Sequence, residues 1–252
     1  MIYITGDTHA EFKKRFNTEN FPEQKEMTKD DYVIICGDFG GIWDLDRESK
    51  QEKYWLDWFE TRPYTLLFVD GNHENFDRLY GYPVKEWCGG KVHAIRPHVL
   101  HLMRGQIFEI DGKTLFTFGG AASHDIQGGI LETSDSNFRK KAKALEQDGI
   151  PYRVAHLTWW SQELASKDEM EEGKRNLLKH KFSVDYIITH CCSTSTQEGF
   201  DGLFYKADRQ TDYLEYIKQH TSYQKWFFGH YHDNRNINEK EILLYEQIIR
   251  IS

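Results

Sequence analysis

The sequence predicts an α/β protein, and three observations predict it. Short continuous apolar runs recur along the 252 residues, the pattern of strands buried on both faces. A helix-spaced aromatic stripe separates two of these runs. Nearly every run ends in a Gly-containing polar cluster, as parallel strands do when they deliver side chains at their carboxyl ends.

Ile2-Tyr3-Ile4 is a short strand ending at Gly6-Asp7, and Tyr32 to Cys36 is a second run ending at Gly37-Asp38. Tyr54, Trp55, Trp58 and Phe59 mark a helix in residues 50–60. Thr65 to Val69 is the third run and leads into Asp70-Gly71-Asn72-His73. Val92 to Ile95, Val99 to Met103, Ile107 to Ile110 and Thr114 to Phe118 read as an antiparallel meander, with Asp111-Gly112 as a hairpin turn. Residues 135–180 read as helical and charged, with one helix expected to begin at Thr158 and carry Trp159 and Trp160 at its front. Val184 to Ile188 is a strand ending at Thr189-His190. A helix through Asp212 to Ile217 precedes Lys225 to Phe228, a strand that ends at Gly229-His230-Tyr231-His232. Ile242 to Ile251 supplies one or two closing strands. With no repeat or linker, one domain over 1–252 is expected, and the segment around 119–180 is expected to shape a substrate cleft.

At 39% hydrophobic and 15% aromatic residues, the chain can build a large core. A net charge of −8 argues against a broad nucleic-acid surface, which needs a basic stripe. It leaves a phosphate substrate open, because bound metal reverses the local sign. The basic run Arg139-Lys140-Lys141-Ala142-Lys143 reads as a solvated helix face. Four cysteines show no disulfide spacing, and no signal peptide or membrane-length run is visible, so a cytoplasmic protein without membrane partners is expected.

Carboxylate and imidazole together suit manganese, iron or zinc. Asp7 and His9 are two residues apart, as are His230 and His232. In an extended segment each pair shares a face. Alone, such pairs carry little weight. However, five of the twelve histidines lie in the polar clusters. If the runs are neighbouring strands, the clusters converge at one sheet edge. Gly6, Gly37, Gly71 and Gly229 suit the compact backbone such an edge needs.

The ordered set Asp7-x-His9, Gly37-Asp38, Gly71-Asn72-His73-Glu74, His190 and Gly229-His230-x-His232 resembles the calcineurin-like metallophosphoesterase superfamily from residue 6 to 232. The resemblance implies two packed mixed β-sheets flanked by α-helices, with two divalent metal ions at strand ends. It implies that Asp7, His9 and His232 hold one ion, that Asn72, His190 and His230 hold the other, and that Asp38 bridges them. A bridging hydroxide would attack phosphorus in line, and His73 would face the substrate to protonate the leaving oxygen or stabilise its charge.

Ala10 stands where many relatives have Gly. The sequence Gly37-Asp38-Phe39-Gly40-Gly41 lacks the Asp-Arg-Gly element of the protein phosphatase branch, so no phosphate-holding Arg carries over. The expected substrate is a small-molecule or phosphoprotein ester, monoester or diester, with nucleic acid set aside. A nuclease of the same superfamily and a non-catalytic metal-binding scaffold are the alternatives, and His73 argues against the scaffold. Several residues stay open between two roles. Trp159 and Trp160 belong to the core or stack on substrate, and His124 and Asp125 form a turn or approach substrate. Arg78, Arg104 and Arg209 are surface charges or phosphate clamps. Glu74 either orients His73 or binds solvent or a turn.

Overall fold

The architecture follows from strands that are apolar on both faces. Ile2 and Ile4 point one way and Tyr3 the other; Ile34 and Cys36 oppose Val33 and Ile35; Leu67 and Val69 oppose Leu66 and Phe68. All are buried, so such a sheet needs cover on each side. The structure, a computed structural model, describes residues 1–200 and 205–252. Its strands in chain order are β1 Ile2–Thr5, β2 Tyr32–Ile35, β3 Thr65–Phe68, β4 Val84–Trp87, β5 Gly90–Arg96, β6 Val99–Leu102, β7 Gln106–Ile110, β8 Lys113–Phe118, β9 Ile130–Leu131, β10 Arg153–Val154, β11 Tyr186–Thr189, β12 Lys225–Phe228, β13 Arg235–Asn236, β14 Glu241–Leu243 and β15 Ile248–Arg250. The α-helices are α1 Phe12–Arg15, α2 Lys50–Glu60, α3 Phe76–Leu79, α4 Phe138–Asp148, α5 Lys167–Lys179, α6 Thr194–Gln197 and α7 Arg209–His220.

Two mixed sheets form, ordered β15-β1-β2-β3-β6-β5-β4 and β13-β14-β12-β11-β8-β7. At the centre of the first, β1, β2, β3 and β6 run parallel. In the second, β8, β11, β12 and β14 do. Between the sheets lie Ile4, Ile34, Leu67, Phe108, Leu115, Ile188 and Phe227. The outer face of the first sheet packs Val33, Leu66 and Phe68 against Phe12 of α1 and Leu56 and Phe59 of α2. On the second, Phe116, Ile187 and Trp226 meet Leu177 of α5 and Leu214 and Ile217 of α7. The result is two packed mixed sheets flanked by helices. Each fully buried large apolar side chain contributes roughly 1.5–3 kcal/mol.

The strands from 90 to 118 do not form one meander. The β5–β6 hairpin joins the first sheet and the β7–β8 hairpin the second. Arg104 lies at the crossing, buried, with its guanidinium on the Asp70 carboxylate (Nε to Oδ2 2.9 Å). Losing one partner of such a pair costs about 3–5 kcal/mol, so this contact fixes where the chain changes sheets. Nor does a helix begin at Thr158. His156 takes a left-handed φ of 57°, and the Thr158 hydroxyl accepts the Val154 amide (2.9 Å), closing a turn. The helix starts at Lys167, after Ser166 and Glu169 form a capping box. A capping box at Ser49 and Glu52 likewise opens α2. The basic run 139–143 lies on α4, exposed apart from Ala142 and a half-buried Phe138 before it.

Behind Asp70, a buried chain of rings carries a pH response. His101 Nε2 lies 2.9 Å from Asp70 Oδ1, and His93 Nδ1 lies 2.9 Å from His101 Nδ1. Burial, with His101 beside it, pushes His93 from an ordinary value near 6.5 down to about 4. Between those values the unfolded chain binds a proton that the folded one refuses. Stability is therefore predicted to fall as pH drops from about 6.5 toward about 4. Urea unfolding across that window should show the slope, flattened in His93→Gln. An equal slope in both proteins would refute the assignment to His93.

Candidate metal centre

Five loops at the carboxyl ends of β1, β2, β3, β11 and β12 meet at one edge of the paired sheets. Their glycines let the backbones approach. A Cβ on Gly71 would sit 1.9 Å from Asp38 Oδ1, and one on Gly229 would sit 2.0 Å from Asp7 Oδ1. The ligand-bearing turns are not extended, as the two-residue spacing suggested. His9 (φ 43°), Asp38 (47°), His230 (69°) and His232 (49°) are all left-handed. Such residues cost of order 1–3 kcal/mol each and persist only where surrounding contacts over-determine them. Ala10, next to His9, also takes φ 62°.

Asp7 is fully buried, and its two oxygens face different ways. Oδ1 accepts the His230 amide at 2.8 Å. Oδ2 makes no hydrogen bond of good geometry, yet His232 Nε2 lies 3.2 Å away and His9 Nε2 3.7 Å away. These two imidazole nitrogens are 3.0 Å from each other. An unpartnered buried carboxylate oxygen facing two imidazole nitrogens is a donor set that a divalent cation satisfies.

Beside it, His190 is buried and donates through Nδ1 to the Cys36 carbonyl at 2.8 Å, so Nε2 is the nitrogen that would exchange its proton for a cation. Nε2 lies 3.2 Å from Asn72 Oδ1 and 3.4 Å from Asp38 Oδ1. The ligand atoms of Asp7, Asp38 and His190 lie within 4.8 Å of one another, as do those of Asp7, His9 and His232. The His230 ring stands 5.0 Å from that of His190. The structure thus brings together Asp7, His9, Asp38, Asn72, His190, His230 and His232.

Electrostatics mark the same place. Burial works against charge on His190, but the Asp38 and Asp7 carboxylates push it up to about 10. Burial opposes ionisation of Asp38 too, and His190 nevertheless holds its carboxyl well below the usual range. A proton on His190 and a cation in the site answer the same two carboxylates. Burial and the charge of His190 drive His230 down to about 3, leaving it neutral and able to donate a lone pair.

His73 is half-buried. Its ring lies edge-on to His9 at 5.3 Å and tilted to Trp43 at 6.3 Å, and burial lowers its pKa. Its amide donates to Asp38 Oδ1 at 2.8 Å. Glu74 binds a turn rather than His73: its Oε1 accepts the Phe39 amide at 2.7 Å, just after Asp38, and burial raises its pKa well above the usual range. Trp160 is core, with its indole N–H on Asp77 (2.7 Å). Arg78 is bound to Glu52, Arg104 to Asp70, and Arg209 reaches the Leu164 carbonyl. Asp125 pairs with Arg153, whereas the His124 ring comes 6.0 Å from that of His230.

Two residues escaped sequence reasoning. Ser123 accepts the Asn72 side-chain amide (3.4 Å) and donates to Glu163 (2.6 Å), which turns Asn72 Oδ1 toward His190. No local pattern marks Ser123 or Glu163, because their partners are distant in sequence.

Comparison with known proteins places these features in context. A family model described as calcineurin-like phosphoesterase matches residues 1–234. Lariat debranching enzyme A of Xenopus laevis is 24% identical over 143 residues, which is 52% of this chain and 26% of that protein. Lariat debranching enzyme of Danio rerio is 23% identical over 143 residues, 52% of this chain and 24% of that protein. The match thus spans about a quarter of the curated relatives' length. Among solved structures, the phosphopantetheinyl hydrolase of Mycobacterium tuberculosis aligns with 97% of this chain and 87% of that one, at 13% identity and a TM-score of 0.43.

Proposed function

Because this chain belongs to the calcineurin-like phosphoesterase family, we propose that it is a metal-dependent hydrolase that cleaves a phosphate monoester or diester by in-line displacement at a centre for two divalent ions, manganese, iron or zinc. Asp7, His9 and His232 would hold one ion, Asn72, His190 and His230 the other, and Asp38 both. The observation that carries this reading is the orientation of Asp38. Its Oδ2 lies 3.6 Å from His9 Nε2 and its Oδ1 3.4 Å from His190 Nε2, so one carboxylate faces both half-sites.

Bound there, divalent ions would acidify water and draw charge from the phosphoryl oxygens. The chain's own part is positioning. The His230 and His73 amides fix the carboxylates of Asp7 and Asp38, and the Cys36 carbonyl fixes the tautomer of His190. His73, kept neutral by burial, holds an N–H that can hydrogen-bond the departing oxygen and stabilise the charge it gains. The segment 119–180 shapes the cleft through Ser123 and His124, within one domain over 1–252. The free thiols of Cys36, Cys191 and Cys192, all buried, support a cytoplasmic setting. No helix among the described residues is long and apolar enough to cross a membrane.

Phosphoproteins and small esters are both admissible substrates. Setting nucleic acid aside rests on the acidic net charge and on the lack of an evident basic groove or DNA-binding appendage in the sequence, and gains no support from relatives named lariat debranching enzymes, so a nuclease stands as the second reading.

Chelator-stripped protein should take up two equivalents of manganese or zinc by elemental analysis. It should then hydrolyse p-nitrophenyl phosphate or its bis ester. Two bound ions with no cleavage of any ester would leave the scaffold alternative standing instead.

A further inference from the structure

A cavity of about 320 Å³ opens beside the centre, and His9 and His73 form its inner wall. Trp43, Trp55 and Phe12 supply flat apolar sides. The walls are firm. The Trp43 ring rests edge-on against buried Trp160 at 6.0 Å, and Trp55 rests edge-on against buried Phe12 at 5.6 Å. The Trp43 and Asp44 amides both donate to Glu52 Oε1 (2.5 and 2.7 Å), and Arg78 binds that same carboxylate. Asp44 and Gln51, both exposed, and the buried Glu52 are the other polar side chains of the lining, and no Lys or Arg is among the lining residues.

Three features limit the occupant. The volume is near the small end for ligand pockets, enough for one ring system. Aromatic walls favour a flat face. The Asp44 carboxylate accepts hydrogen bonds and repels a second anion, while the Gln51 amide both donates and accepts. His73 lines the cavity beside His9, a residue of the centre, so a group held inside would carry the oxygen that the His73 N–H can hydrogen-bond.

We propose that this cavity is the leaving-group pocket and that it holds a planar, nitrogen-bearing ring of the nucleobase class, stacked on Trp43 and hydrogen-bonded at Asp44 and Gln51. The proposal rests on the phosphoesterase reading of the neighbouring centre and on the role of His73 there. It adds the class of group that is released.

The test compares adenosine 5′-phosphate with methyl ribofuranoside 5-phosphate, each as monoester and as methyl diester. The pair shares one leaving alkoxide and differs in the base. The wild-type kcat/KM should favour the adenosine compound by about tenfold or more, through KM, as base–aromatic stacking implies. Trp43→Ala should reduce that ratio to about twofold, the ratio cancelling any effect of the change on His73 that both substrates share. Gln51→Leu, an exposed change with little folding risk, should reduce it in part. Calorimetry with adenosine, which lacks the phosphate, reads the cavity without the reaction. It should show binding to the wild type and about tenfold weaker binding to Trp43→Ala. A ratio near one in the wild type, an unchanged ratio in Trp43→Ala, or no adenosine binding would overturn the pocket. Adenosine binding with no ester cleaved under any metal would keep the pocket and overturn the phosphoesterase reading instead.

Discussion

His73→Ala is expected to lower turnover by about 10²–10³-fold while the protein still binds two metal ions, the range that loss of one hydrogen-bond donor to a developing oxyanion produces. Three observations motivate this separation. The His73 ring lies beside His9 rather than among the converging ligand atoms. Its contact with Asp38 is through the backbone amide, which alanine keeps. Its side chain is half-buried on a cavity wall, so truncation should cost little stability. Elemental analysis and steady-state kinetics on one preparation decide the matter. Turnover within about threefold of wild type would remove His73 from the chemistry, because a donor aimed at a developing oxyanion contributes far more. Loss of metal would place it among the ligands.

Asp38→Asn should fail in the opposite way. The amide has nearly the same shape but no charge, and both Asp38 oxygens face imidazole nitrogens. Metal affinity should drop by more than the 10–100-fold that outer-shell partners cost, with activity lost in parallel. Isothermal titration with manganese reads the affinity. A variant that keeps two tightly bound ions would show that Asp38 does not join the half-sites. The two variants together separate holding ions from stabilising the departing oxygen, which neither does alone.

Much of this arrangement was legible because local chemistry decides it. Asp111 and Gly112 take φ of 50° and 69°, as a two-residue hairpin demands, and the stripe at Tyr54, Trp55, Trp58 and Phe59 falls within α2. The five polar clusters announce strand ends because the preceding residues are apolar without interruption. What stayed illegible depends on partners. Alternation tells which face of a strand is buried but not which sheet it joins, so the two hairpins between 90 and 118 read as one meander. The aromatic pair Trp159-Trp160 imitated a helix start, although the Ser166–Glu169 box was the better signal. The handedness of His9, Asp38, His230 and His232 was not legible from residue type, because Asp and His enter this region more often than most side chains yet mostly stay outside it.

That handedness matters to anyone who would transplant this centre. Copying the side chains onto regular strands of another scaffold would aim them along the wrong vectors, because their directions here come from turns that ordinary backbone avoids. The portable unit is the loop with its flanking strand and the contacts that clamp it, among them Gly71 under Asp38 and Gly229 under Asp7. A grafted site lacking those clamps would relax toward right-handed turns and disperse its ligands. A design that kept the loops and rebuilt only the cavity wall could change what is released without rebuilding the chemistry.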